Sequence, residues 1–267
     1  MNCYISIGDL KTALAITSTT DDVVMRKIID AASRQIDRYC NRRFYVESTT
    51  KYYDGAVRLW VDDLLAITTL KTDEDGDATY ENTFATTDYI LYPLNNYPKT
   101  YIETSNDGDY GGFGCGVKKG VQIVGVFGYG DGISATPYIS DTTTNEALDT
   151  SETGVDVTAV TNLSAGQTIL VESEQMFIES ITTTTLTVIR GVNGTTAAAH
   201  DTAKLIYVYQ YPFDVWQACL DLSSAIYQNR NKQGIQSESL GDYSYTLSPN
   251  QSRPILESIS SYRVRRF

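Results

Sequence analysis

Between Met25 and Cys40 apolar residues recur at spacings of three and four: Met25, Ile28, Ile29, Ala32, Ile36, Tyr39 and Cys40 fall on one stripe, with charged side chains between them. The pattern predicts a long amphipathic helix. Thr20 is its expected cap, Asp21 and Asp22 stand in the first turn where the helix dipole favours acids, and Arg42 and Arg43 stand at the end where it favours bases. A shorter helix precedes it, GDLKTALAI, with Ser6 as cap. From Phe44 to Gly132 the period changes to short β-branched and aromatic runs. Expected strands are Tyr45 to Tyr53, Val57 to Val61, Ala66 to Thr72, Thr83 to Leu91, Thr100 to Glu103 and Val117 to Phe127. Turn residues at Asp54-Gly55, Asp75-Gly76 and DGDYGGFGCG separate several of them, so an irregular antiparallel sheet is expected.

A second strand-rich stretch follows. GVDVTAV, QTILVES, QMFIESI, TTLTVIR and KLIYVYQ read as five strands, with turns at Ala165-Gly166 and Asn193-Gly194. Five short strands in this space suggest a small closed barrel or sandwich. The helical period then returns: Pro212 opens a helix carrying Val215, Trp216, Cys219, Leu222, Ile226 and Tyr227 on one side. A short strand and a short helix capped by Ser252 complete the chain. The two long helices must meet to bury their stripes. Residues 1–132 and 212–267 are therefore read as one discontinuous domain, and 133–211 as an inserted β module. The expected class is α+β, a helical host domain with antiparallel strands and an inserted all-β unit.

Composition sharpens this picture. The 267 residues carry a formal charge of −12, which argues against a surface built to grip nucleic acid or an anionic membrane. The acids are unevenly placed, because residues 131–211 hold ten acids and two bases and so account for −8 of the total. Twenty tyrosines and 33 threonines favour pleated, half-buried surfaces. No run reaches the roughly 18 apolar residues of a membrane span, and the first residues lack the pattern of a signal peptide. Cys3, Cys40, Cys115 and Cys219 are scattered without a CxxC and read as free thiols.

Motifs for catalysis and cofactors are weak. KTDEDGDATYEN places Asp73, Asp75 and Gly76 as in a calcium loop but has Lys71 and Asn82 at two essential ligand positions, so a hairpin turn is expected. The glycines of VGVFGYGDG precede no GK[ST], and the Asn162 and Asn193 sequons have no secretory context. Glu172 and Glu174, two apart on a strand, share a face that a paired-carboxylate enzyme could use, but the expected role is a solvated strand face. His200 is the one histidine, and no G-x-S-x-G is present, so neither an enzyme nor a cofactor is expected. Arg26, Lys27, Arg34, Arg38, Arg42 and Arg43 decorate the first long helix. Arg253, Arg263, Arg265 and Arg266 load the C-terminus among aromatic residues, a composition enriched at binding hot spots.

Several stretches together resemble one family, the head-to-tail connector (adaptor) proteins of long-tailed bacteriophages. They are YISIGDLKTALAI, DDVVMRKIIDAASRQIDRYCNRRFY, YYDG, DLLAITTLKTD, DYILYPLNNYP, VQIVGVFGYG, YPFDVWQACLDLSSAIYQNRNKQGI and LGDYSYTL. The inserted stretch SAGQTILVESEQMFIESITTTTLTVIRGVNGTTAAAH is similar to a small β module of phage virion proteins. The resemblance implies a homo-oligomeric ring in the virion neck, typically twelve-fold, bound to the portal protein. A head-closure (stopper) or tail-terminator protein would follow on its other face, and DNA would pass through the channel without specific binding. It assigns portal docking to the C-terminal segment, with Arg253, Ile255, Leu256, Ile259, Tyr262, Arg263, Arg265, Arg266 and Phe267 as interface residues, and subunit contacts to the helix faces around Arg34, Arg38 and Trp216. The alternative expectation is a β-rich virion surface protein binding a carbohydrate or other ligand.

Overall fold

The computed structural model describes residues 2–230, 237–240, 243–246 and 252–264. The α+β expectation holds: four helices accompany two six-stranded antiparallel sheets among the described residues. Helix α1 spans Ile7–Ala13, and Ser6 caps it reciprocally with Asp9. Helix α2 spans Asp22–Cys40 and buries Met25, Ile29, Ala32, Ser33, Ile36 and Cys40, so Ser33 joins the expected stripe while its members Ile28 and Tyr39 are only half-buried. Its N-cap is Asp21 rather than Thr20, whose hydroxyl instead pairs with Ser18 at 2.9 Å. Helix α3 spans Phe213–Asn229 with Pro212 in the cap position, and α4 spans Ser252–Ser258, so Ser252 is its first residue rather than its cap.

The first sheet comprises β1 (Glu47–Tyr53), β2 (Arg58–Thr72), β3 (Asn82–Thr83), β4 (Tyr89–Tyr92), β5 (Lys99–Thr104) and β6 (Val121–Phe127). Its order is β1-β6-β2-β5-β4, with β3 paired to β2. Two expected strands merge into β2. The polar Asp62-Asp63 break in the sequence is a register shift within one strand, where Asp62 meets Lys51 at 3.1 Å and Asp63 meets Arg42 at 3.3 Å. Conversely, the expected strand from Thr83 to Leu91 divides into β3 and β4 around a turn held by Asp88, whose carboxylate accepts from Ala85 N.

The second sheet contains β7 (Tyr138–Thr143), β8 (Gly154–Asp156), β9 (Thr168–Val171), β10 (Glu174–Thr182), β11 (Thr185–Ile189) and β12 (Leu205–Tyr209), in the order β7-β12-β9-β10-β11-β8. It has one strand more than expected, because polar YISDTT shows no alternation of apolar residues. The sheet is not closed into a barrel. The residues just past its edge strands meet in one isolated bridge, Thr144 with Val157, and β8 is only three residues long. An antiparallel pair, β13 (Ser237–Leu240) and β14 (Tyr243–Thr246), stands where one strand was expected.

The cores join these parts. Helices α1 to α4 pack around Tyr4, Leu10, Ile29, Ile36, Phe44, Cys219 and Leu222, and the same cluster takes in Phe177 from β10. A smaller cluster unites Val46, just before β1, and Leu65 of β2 with Tyr209 of β12. The second sheet is thus seated on the helices and on the first sheet, although it also has its own core around Ile169, Val171, Met176, Ile178 and Leu186.

Candidate interaction surfaces and buried polar clusters

The expected portal-docking segment divides by burial. Ile259 is fully buried and Leu256 nearly so, both inside the helical core, so these two anchor α4 rather than present a face. Tyr262 is half-buried, edge-on to Phe44 and Tyr129, with its hydroxyl 3.2 Å from Asp214. Ile255 packs at the rim of the same core, whereas Arg253 is exposed in an ion pair with Glu257. Arg263 lies over the Tyr39 ring, and Val264 N donates to Cys40 O at 2.9 Å, which fixes the segment beside the end of α2. Arg265, Arg266 and Phe267 lie outside the described residues.

The basic face of α2 is largely neutralised. Arg26 pairs with Glu179, Arg34 with Asp37, Arg42 with Asp63 and Arg43 with Glu47, leaving Lys27 and Arg38 exposed. Arg34 points inward: it donates to Asn2 O at 2.9 Å and lies over the Tyr4 and Tyr45 rings. Beside it the Tyr4 hydroxyl donates to Asp37 and accepts from Phe44 N. Burial pushes the Asp37 carboxyl up to about 6, against the opposing pull of Arg34 and Tyr4. Trp216 stacks on Phe213, which is 75% exposed, and this pair is the aromatic surface at the start of α3. A larger aromatic row, Trp60-Tyr101-Tyr92, crosses β2, β5 and β4 in register and was not anticipated. Its signal lay in three separate strands, and only their pairing assembles it.

The expected solvated face at Glu172 and Glu174 is corrected by the structure. Glu174 is fully buried. Its carboxylate accepts from Arg190 through two nitrogens at 2.7 and 2.8 Å, from Gly191 N and Ala198 N, and contacts His200 Nε2 at 2.9 Å. Glu172 sits at the turn with φ of 52°, half-exposed, and meets His200 Nδ1 and Lys204. Burial opposes ionisation of Glu174, yet the donors from Arg190, Ala198, His200 and Gly191 prevail and hold its carboxyl down at about 2. A carboxylate whose oxygens are filled by five donors has no lone pair for a substrate proton. The cluster instead ties the segment after β11 to the turn before β10. The sequence clue was the pairing of Arg190 and His200 with an alternate-position glutamate, which strand alternation alone made look solvated.

The loop after β2 is the expected hairpin turn. Asp73 accepts from Gly76 N at 2.7 Å and Ala78 N at 2.9 Å, and although desolvation opposes it, these amides lower its pKa. Asp73, Asp75, Asp77 and Glu81 bring carboxylate oxygens within 4.8 Å of one another, an acidic group among the described residues that could face a cation. Asp75 and Asp77 also accept loop amides, so the cluster is accounted for by the turn. An open cleft of about 940 Å³ lies between α1, the start of α2 and β10, lined by Ile16, Val23, Leu163 and Ile181 with the Lys11–Asp22 and Arg26–Glu179 pairs at its walls. Cys3, Cys40 and Cys219 are buried free thiols, and Cys115 is exposed. Burial pushes the Cys40 and Cys219 thiols up to about 11. No described helix is long and apolar enough to cross a membrane.

No curated protein matches the chain. Residues 4–94, which hold α1, α2 and the strands from β1 through β4, match the family model of the phage gp6-like head-tail connector proteins, and this match supports a phage head-tail connector family for the chain.

Proposed function

We propose that this chain is a structural protein of the virion neck, a homo-oligomeric ring that joins the portal protein to a head-closure or tail-terminator protein and leaves a channel for DNA. The family match carries this reading, since it suggests a connector role and a virion component that interacts with head and tail parts. The ring, its twelve-fold order and the channel extend it. In this reading residues 1–132 and 212–267 form one discontinuous domain, with 133–211 inserted. The packing of α3 and α4 against α2 in a single core supports the discontinuous part. The uneven charge suits the channel, because a surface short of free cations lets DNA slide past instead of holding its phosphates.

Portal docking is assigned to the last residues. Leu256, Ile259 and Tyr262 hold α4 on the body, so Arg253, Ile255 and Arg263 with Arg265, Arg266 and Phe267 are left as the contact set. Removing 265–267 spares every described contact, and binding to isolated portal rings should be lost while the circular dichroism of the chain is retained. Normal binding of that truncated chain would overturn the docking assignment. Imaging of purified particles would test the ring directly.

A further inference from the structure

The turn at Asn193-Gly194 does more than reverse the chain. The side-chain amides of Asn193 and Asn2 pair reciprocally, Asn2 Nδ2 donating to Asn193 Oδ1 at 2.8 Å and Asn193 Nδ2 to Asn2 Oδ1 at 2.9 Å. Asn193 Nδ2 also donates to Gln175 Oε1 at 2.6 Å, and Gln175 Nε2 donates to Val46 O at 3.2 Å. The Asn193 carbonyl accepts from Ser48 N at 2.8 Å. One residue thus links three places, its side chain holding the start of the chain and β10 and its backbone carbonyl holding β1. Asn2 and Gln175 are almost wholly buried, so these bonds lie out of water where lost partners are costly.

The residue after it cannot be anything but glycine. Gly194 has φ of 79°, and a Cβ there would stand 1.9 Å from Ser48 O. The seam therefore requires an Asn-Gly dipeptide, the pair most prone to intramolecular attack because glycine offers its backbone nitrogen without side-chain hindrance. We propose that Asn193 is the latch between the second sheet and the helical half, and that Asn193-Gly194 is a latent deamidation site whose reactivity depends on whether the latch is closed. In the reaction the Gly194 nitrogen, losing its proton, bonds to Asn193 Cγ. The Cγ–Nδ2 bond breaks and ammonia leaves, and water then opens the cyclic imide to aspartate or isoaspartate. Closed, both amide atoms of Asn193 are held by partners, and Cγ cannot swing toward the Gly194 nitrogen. Once converted, the carboxylate has no proton for Asn2 Oδ1 or Gln175 Oε1 and sets a negative charge against two oxygens. Reorienting the Gln175 amide to donate would forfeit its bond to Val46 O.

The full chain tests this in mildly alkaline buffer. Tryptic cleavage after Arg190 and Lys204 isolates peptide 191–204, whose mass gain on conversion of amide to acid reports the rate. The folded chain should convert at least about tenfold more slowly than the chain in denaturant, because reaction must await local opening. Asn2→Ala and Gln175→Ala, which keep the dipeptide but remove its partners, should recover most of that difference. Equal rates in folded and denatured chain, or variant rates equal to the folded wild type, would overturn the proposal. Should a variant fail to fold by circular dichroism, exchange of the Ser48 amide in wild type before and after conversion decides instead: it should quicken, and unchanged protection counts against the latch.

Discussion

Two carboxylates in different halves of the molecule, one fully and one largely buried, end in opposite states. Glu174, in the second sheet, accepts from five nitrogens and is held at about 2, whereas Asp37, in α2, is pushed up to about 6 with Arg34 and Tyr4 at its side. Both pay for leaving water. What differs is the number of donors that replace it: at Glu174 two backbone amides, a bidentate guanidinium and the His200 ring fill the oxygens, while at Asp37 the fewer donors are the Tyr4 hydroxyl, the Phe44 amide and one Arg34 nitrogen, and that guanidinium also lies over two rings. A charged partner nearby therefore does not by itself keep a buried acid ionised. The count of hydrogen bonds aimed at it decides.

The comparison is broken most severely by Glu174→Ala. It leaves Arg190, with a side chain 6% exposed, without its carboxylate, and should cost about 3–5 kcal/mol in denaturant unfolding. Phe177→Ala tests whether the halves are energetically one. It should cost about 3–5 kcal/mol, and because Phe177 belongs to the helical core, probes in both halves should shift together. In the helical half, Ile259→Ala should cost about 2–4 kcal/mol, measured the same way, since a buried side chain that anchors α4 is cut.

The pH dependences sharpen the contrast because their signs oppose. Glu174 has a folded pKa below its ordinary 4.5, so its contribution is present above that value and is lost as pH falls toward about 2. Asp37 has a folded pKa raised from 3.8, so its contribution is complete below 3.8 and is lost as pH rises through about 6. Stability of the wild type relative to Asp37→Asn should accordingly fall by about 2–3 kcal/mol between pH 4 and pH 7. The smallest effect is expected at Arg253→Ala. That residue's pair with Glu257 is exposed, and the midpoint should move by less than about 1 kcal/mol equivalent.

The helices were legible because their signal is local. Five of the seven residues of the α2 stripe, Met25, Ile29, Ala32, Ile36 and Cys40, are buried as read, and Ser6 caps α1 as read, with Asp9 as the reciprocal partner only the structure adds. Strand boundaries were less legible where polar residues interrupt an element, as at Asp62-Asp63, or compose it, as in Tyr138–Thr143. The interaction residues were legible by type and not by direction. Leu256 and Ile259 look alike to Ile255 in sequence, but the helix turns the first two into the core.

The sequence by itself determined the α+β class, the amphipathic helices, the turn at Asn193-Gly194 and the concentration of acid in residues 131–211, since each depends on neighbours along the chain. Tertiary structure alone decided which charges face water. Glu174 alternates like a surface residue, yet Arg190 and His200 arrive from 16 and 26 positions away to replace its water. Likewise Asn2 and Asn193, 191 residues apart, form one amide pair. Burial and hydrogen bonding are properties of the packed chain, and no local pattern of residues carries them.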